Sequence, residues 1–420
     1  MPFHFDNVRV AVIGSGLGGL LSGICLQKKG FDVTVFESLR YPGGRFTNRN
    51  YKGYQISTGA LHMIPHGSRG PLGQMLTSLD LNFNIIDSVP DGVFRINNRN
   101  YLFDEIPDVF SFVDRIKLTI VFSKLLTFGD AGDESLHDWL KKQIKNPIAL
   151  QLTDSFCGWA LSINSTQISA KEFIAITKNI KRLKGPGIPI GGCKGITDAI
   201  IDGFENDNGH LKLGCKVGKI GIEKDNIKHI EVNNEKKYFD VIVSDIGPKG
   251  TNILIKNKFS EGYLNKINRI EEASGIKISV ACDKPMLGHT GVLFTPETRR
   301  IDGINEVTNA DSKLAPDGKH LLMAHQAFTP GSDVRKEIQL GIVDLHNIFP
   351  NFNKNCRVIS AQCYRGNWPV NRAVSGLQID HKTPINGLFL VGDSVKPSGY
   401  METEGVAAGV ELAIKSIEDF

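Results

Sequence analysis

The chain has 420 residues, 41% hydrophobic and 22% charged, which suits a globular protein and allows two domains. Its net charge of +4 comes without a basic run, since Lys236-Lys237 and Arg299-Arg300 are isolated pairs, and this argues against a nucleic-acid partner. Seven cysteines without a C-x-x-C pair fit a reducing cytoplasm, Met1 to Asn7 lacks the regions of a signal peptide, and no apolar run approaches the roughly 20 residues that span a bilayer. A weak positive balance leaves room for peripheral contact with an anionic membrane face.

In chain order, Val8 to Ile13 is an apolar run fit for a buried strand. Gly14-Ser15-Gly16-Leu17-Gly18-Gly19 follows as G-x-G-x-x-G, then a helical segment Leu20 to Lys29 stopped by Gly30, then a strand Phe31 to Phe36 ending at Glu37. Gly14 permits a tight turn, Gly16 lets the backbone approach a pyrophosphate, and Gly19 lets helix and strand pack closely, with Leu17 and Gly18 between them also expected at the cofactor. The N–H groups of the helix start face the phosphates, and Glu37 can accept from ribose hydroxyls while repelling a 2′-phosphate. The fingerprint alone is weak; with strand, helix and acid in register it reads as a dinucleotide site. Next, "RYPGGRFTN" places Gly43, Gly44 and Arg45, a close backbone approach plus a guanidinium suited to phosphate oxygens.

This E-x-x-x-x-x-G-G-R pattern behind the fingerprint resembles the FAD-dependent amine oxidase and phytoene desaturase superfamily. The resemblance implies FAD and an α/β fold: a discontinuous Rossmann-type FAD-binding domain with an inserted mixed α+β substrate domain. The superfamily continues with Asp-x-Gly, whereas this chain has Ser57-Thr58-Gly59; Gly59 and Ala60 still fit a backbone beside the flavin.

From Pro71 to Leu183 no motif recurs. The spacing of Val109, Phe112, Val113, Ile116 and Ile120 predicts a helix face, read as ordinary core or as a lipid-facing surface at an apolar tunnel. Cys157 reads as a small buried hydrophobe. Then "PIGG" and a helix from Lys194 resemble the segment re-entering the FAD domain, and by the same resemblance Val217 lies at the adenine. The expected FAD domain is 1–75, 186–250 and 375–420, and the substrate domain 76–185 and 251–374. Trp368 is expected near the flavin or buried in the core. His62 and His66 stand four apart, but Pro65 opposes a regular helix there, and no metal site is expected.

"LFLVGDSVKPSGYMETEGVAAG" supplies the second half-site. By resemblance, Gly392 and Asp393 hold the ribityl chain, and a helix from about Thr403, with Gly405 and Val406, points at the flavin. Glu402 and Glu404 are either acids favoured in a first helical turn or a general acid or base facing the substrate. Tyr400 could form an aromatic cage. The resemblance covers the whole chain and is closest to archaeal phytoene-desaturase-like members, so the expected substrate is an isoprenoid or prenyl lipid. Desaturation or saturation is the first reading. Hydration of a prenyl double bond in ether-lipid precursors, amine oxidation, and non-catalytic prenyl binding are the alternatives.

Overall fold

The computed structural model describes residues 8–128 and 132–420; Met1 to Asn7, where no signal peptide was read, lie outside the described residues. A five-stranded parallel sheet runs in the order Leu388–Leu390, Val241–Ser244, Arg9–Ile13, Asp32–Phe36, His210–Lys212. Its strands come from three separated stretches of sequence. Alternation along them explains the two covered faces. Val10, Val12, Val33, Val35, Val241 and Val243 join one core with the helices Leu17–Lys28, Cys193–Asn206 and Glu402–Glu418. Ala11, Ile13, Phe36 and Ile242 join another with the antiparallel strands Val217–Glu223 and Asn226–Val232. Both faces are buried, so the central strands are apolar along residues 10–13 and 241–243, with charged residues only at exposed strand ends such as Arg9 and Asp32.

The helix Pro71–Ser78 turns Leu72 and Leu76 into that first core, with Leu79 and Ile85 just beyond it. Apolar packing therefore continues past residue 75. The helix Leu17–Lys28 begins inside the fingerprint, three residues before the segment read from sequence.

A seven-stranded sheet runs Cys356–Tyr364, Gly275–Cys282, His320–Ala327, Gly303–Glu306, Val292–Phe294, Gly92–Ile96, Arg99–Leu102. Gly92–Ile96 pairs in parallel with Val292–Phe294, so the two inserted stretches share one sheet. Every residue of Gly275–Cys282 is buried. Three helices join one core with Phe94, Ile96, Val292 and Phe294 of the sheet: Leu136–Gln143, Pro147–Leu161 and Ala170–Leu183. Each starts with a side-chain cap, Ser135, Asn146 or Ser169, that satisfies a free N–H of the first turn.

The helix Phe112–Phe128 departs from the core reading. Phe112 is 75% exposed, Val113 59%, Ile116 45% and Ile120 49%. Leu118 and Val121 pack inward, so among the described side chains the helix has both a covered and an exposed apolar side. No helix among the described residues is long and apolar enough to cross a membrane.

Candidate cofactor and active site

The fingerprint turn follows the strand Arg9–Ile13. Gly14 has φ +99°, and its N–H donates to Phe36 O at 2.8 Å. A Cβ on Gly19 would lie 2.0 Å from Gly14 O, and one on Gly16 2.3 Å from Asp245 Oδ2. Glu37 accepts from Ser15 N at 2.8 Å, Ser15 Oγ at 2.9 Å and Leu39 N at 2.8 Å. These bonds lock its carboxylate beside the turn, where it also lines a cavity.

Gly43 and Gly44 both have positive φ, +91° and +53°. Arg45 donates to Pro369 O at 2.9 Å, Val370 O at 2.6 Å and Asp393 Oδ2 at 2.8 Å. Its guanidinium therefore ties the near half-site to the far one, 348 residues on, instead of presenting a free fork to phosphate. Burial pushes the Asp393 carboxyl up, but Arg45 and Arg372 outweigh it and hold it below its ordinary value.

The turn at Ser57 has a feature that the motif reading missed. Lys277, buried in the middle of Gly275–Cys282, donates to Ser57 O at 2.6 Å, Ser57 Oγ at 2.6 Å and Gly59 O at 2.8 Å. Tyr364 Oη donates to Gly59 O at 2.6 Å and Trp368 Nε1 to Thr58 O at 3.2 Å. Where the superfamily has an acid, this chain has a hydroxyl facing a lysine. With neutral acceptors only, burial pushes Lys277 down to about 7. The one sequence signal was a lysine inside an otherwise apolar strand.

Glu402 and Glu404 separate. Two residues on a helix differ by about 200° in direction, so both cannot face one cavity. Glu402, at φ +42°, lines the cavity, and Asn371 Nδ2 donates to its Oε1 at 2.6 Å. Burial raises its pKa, opposed by Lys396 and the Asn371 bond. Glu404 turns inward and accepts from His66 N at 3.1 Å and Leu72 N at 2.8 Å, closing the start of the helix Pro71–Ser78. Burial pushes it up to about 7.

Glu404→Ala is therefore expected to cost about 2–4 kcal/mol of stability, by leaving two buried N–H groups bare. Glu404→Gln keeps one acceptor and should cost less than about 1 kcal/mol at neutral pH. The folded pKa lies above the free value of 4.5, so the wild-type contribution is complete below that pH and declines as pH rises through about 7. Unfolding midpoints should show the Ala deficit shrinking between those values, and a deficit that grows with pH would exclude this role.

Tyr400 is not in the cavity lining; Arg182 Nη2 donates to its hydroxyl at 3.2 Å, and no cage with Trp368 forms. Gly405 packs on Lys396, where a Cβ would lie 2.7 Å from Lys396 Cβ. Val217 is buried in the core behind the sheet, paired with Val232, and does not line the cavity. His62 accepts from Cys193 N at 3.2 Å through Nδ1 and donates to Gln55 O at 2.8 Å through Nε2, so both ring nitrogens are used. Among the described residues there is no cluster of three or more metal-ligating side chains.

The cavity, of about 690 Å³, joins two environments. Gly14, Gly16, Leu17, Gly18, Glu37, Gly43, Gly44, Arg45, Gly59, Ala60, Gly392, Asp393 and Val406 meet in its wall, so both predicted half-sites are brought together. Met63, Phe156, Trp159, Val292, Phe294 and Met401 line it too and belong to one apolar cluster. Ser162 also lines it, 3.0 Å from His325 Nε2. Buried Arg372 Nε, Lys396 Nζ and Thr403 Oγ1 lack hydrogen-bond partners among the described residues. Of these, Arg372 and Thr403 line the cavity, and unpaired donors beside a glycine cradle fit a polar, anionic dinucleotide cofactor.

The flavin containing amine oxidoreductase family matches residues 17–407. An uncharacterized protein of Methanocaldococcus jannaschii is 40% identical across 98% of this chain and 99% of its own. The crystal structure of an oxidoreductase from Methanosarcina mazei superposes with a TM-score of 0.94 at 40% identity, covering 97% of this chain and 100% of that one. A chloroplastic prolycopene isomerase of an Oncidium hybrid is 22% identical across 98% of this chain and 86% of its own. With the fingerprint, the Gly-Gly-Arg loop and the Gly-Asp segment meeting in one cavity, the chain belongs to the flavin containing amine oxidoreductase family and is a phytoene-desaturase-like flavin-dependent oxidoreductase.

Proposed function

We propose that the cofactor is FAD and that the enzyme acts on C–C bonds of an isoprenoid chain by desaturation or saturation. The carrying observation is the apolar cluster that lines the same cavity as the dinucleotide-binding glycines. An aliphatic chain enters such a pocket by giving up hydrated apolar surface, at roughly 25 cal/mol per Å². When bound, FAD supplies hydride exchange at its N5. The protein's own residues then have definable tasks. Arg45 and Asp393 hold the two half-sites in register, Trp159 and Phe294 orient the chain, and Glu402 takes or gives the proton at the neighbouring carbon. The relative named for prolycopene supports the substrate class.

A second reading, hydration of a prenyl double bond, is favoured by the Glu402 carboxyl in the cavity wall, whose raised pKa suits proton donation to an alkene. The amine-oxidase reading loses its aromatic cage with Tyr400 turned to Arg182.

Anaerobic incubation of the FAD-loaded protein with phytoene or a geranylgeranylated ether lipid, followed by mass analysis, tests these readings. A change of two hydrogens supports redox, and a gain of water supports hydration. No change with either substrate, beside turnover of simple amines, would overturn both. A flavin-free protein that never takes up FAD would instead point to a non-catalytic prenyl binder.

The exposed face of Phe112, Val113, Ile116 and Ile120, with half-exposed Phe103 reaching into the cavity wall, supports docking on a membrane from a cytoplasmic position. Wild-type protein should sediment with anionic lipid vesicles, and the double variant Phe112→Asp, Ile116→Asp should not. Equal sedimentation of the two would refute the docking face.

A further inference from the structure

Asp245 directly follows the strand Val241–Ser244, and its N–H donates to Ile13 O at 2.8 Å. Its carboxyl is wedged into the glycine cradle. Cβ atoms placed on Gly16, Gly18 and Gly392 would lie 2.3 Å, 2.6 Å and 2.5 Å from its oxygens. It lines the cavity beside the glycine turn, whose backbone suits a diphosphate. A charged carboxylate there opposes the ligand the turn is built for.

We propose that Asp245 is a cofactor-binding residue that meets the FAD diphosphate as a neutral acid, so that FAD uptake above neutral pH brings one proton into the protein. This rests on the FAD reading above.

The groups facing Asp245 set the sign. In the chain without cofactor, burial pushes the carboxyl up to about 7; the Gly19 N–H opposes this, Asp393 adds to it, and Arg372 and Arg45 oppose it. A diphosphate placed beside it adds like charge and raises it further. The bound form then keeps its proton to higher pH than the free form. Affinity is constant below about 7 and falls about tenfold per pH unit above it, until the bound acid also ionises.

The experiment titrates the full-length, flavin-free protein with FAD by flavin fluorescence from about pH 6 to 9. Calorimetry in two buffers of different ionisation enthalpy counts the protons. The expected wild-type Kd is flat to pH 7 and rises about 100-fold by pH 9, with close to one proton taken up at pH 8. Asp245→Asn keeps the shape without the charge. It should bind FAD with a flat Kd, about 100-fold tighter than wild type at pH 9. A flat wild-type Kd with no buffer-dependent heat, or an Asn variant with the wild-type slope, would overturn the inference. If the Asn variant does not fold, the wild-type proton count decides. No binding by folded wild-type protein at any pH would refute the FAD reading instead.

Discussion

Gly19→Ala is expected to yield a protein without bound flavin and with a lowered unfolding temperature. The added methyl would sit 2.0 Å from Gly14 O and 3.3 Å from Asp245 Cβ. The first of these is backbone in a turn held by the Gly14 N–H bond to Phe36 O, so it cannot swing aside as a flexible side chain would. Relief requires the helix Leu17–Lys28 to lift from the strand Arg9–Ile13, at about 1–3 kcal/mol or more. That movement also displaces the N–H groups facing the cavity. Gly218→Ala is the matched control, because its Cβ would meet only Glu231 O at 3.8 Å. Absorbance at the flavin band per mole of protein reads the outcome. A Gly19→Ala protein with full flavin occupancy and an unchanged melting temperature would show that the turn is not a close-packed cofactor cradle.

Glu402→Gln is expected to lower turnover of the isoprenoid substrate by about 100-fold or more, with flavin content unchanged. The carboxyl is held at φ +42°, a left-handed conformation costing a non-glycine residue about 1 kcal/mol, and Asn371 fixes one of its oxygens. Burial raises its pKa above the ordinary value, against Lys396 and the Asn371 bond. The pH profile then separates the two readings. If Glu402 removes a proton in desaturation, the rate rises with pH through its pKa. If it donates one in hydration, the rate falls. In Glu402→Gln either limb disappears. Glu404→Gln, whose position faces the helix Pro71–Ser78, should keep normal turnover per bound flavin. Wild-type turnover in Glu402→Gln would remove Glu402 from the chemistry.

Local signals made much of this protein legible. Gly14 to Glu37, Gly43 to Arg45 and Gly392 to Gly405 are runs in which backbone conformation, helix starts and apolar periodicity depend on neighbours in sequence. The parallel sheet and its helices follow from such runs, and the family resemblance joined the two ends of the chain. What the reading could not supply are contacts between residues hundreds of positions apart. Arg45 looks like a phosphate fork until Asp393 and two carbonyls occupy it. Ser57 looks like a lost acid until Lys277 arrives from another sheet.

Glu402 and Glu404 are equivalent acids of one helical turn in sequence. Only the packing of that helix against Pro71–Ser78 decides which carboxyl is enclosed and which faces the cavity. The apolar stripe at Phe112 to Ile120 is likewise ambiguous, because periodicity reports that a face is apolar and not whether anything covers it. Sequence by itself determined the dinucleotide-binding frame, through glycine conformation and strand-helix periodicity. Tertiary structure alone decided the ionisation and aim of Asp245, Lys277 and Glu402, because burial and charge at one point are summed over the whole chain.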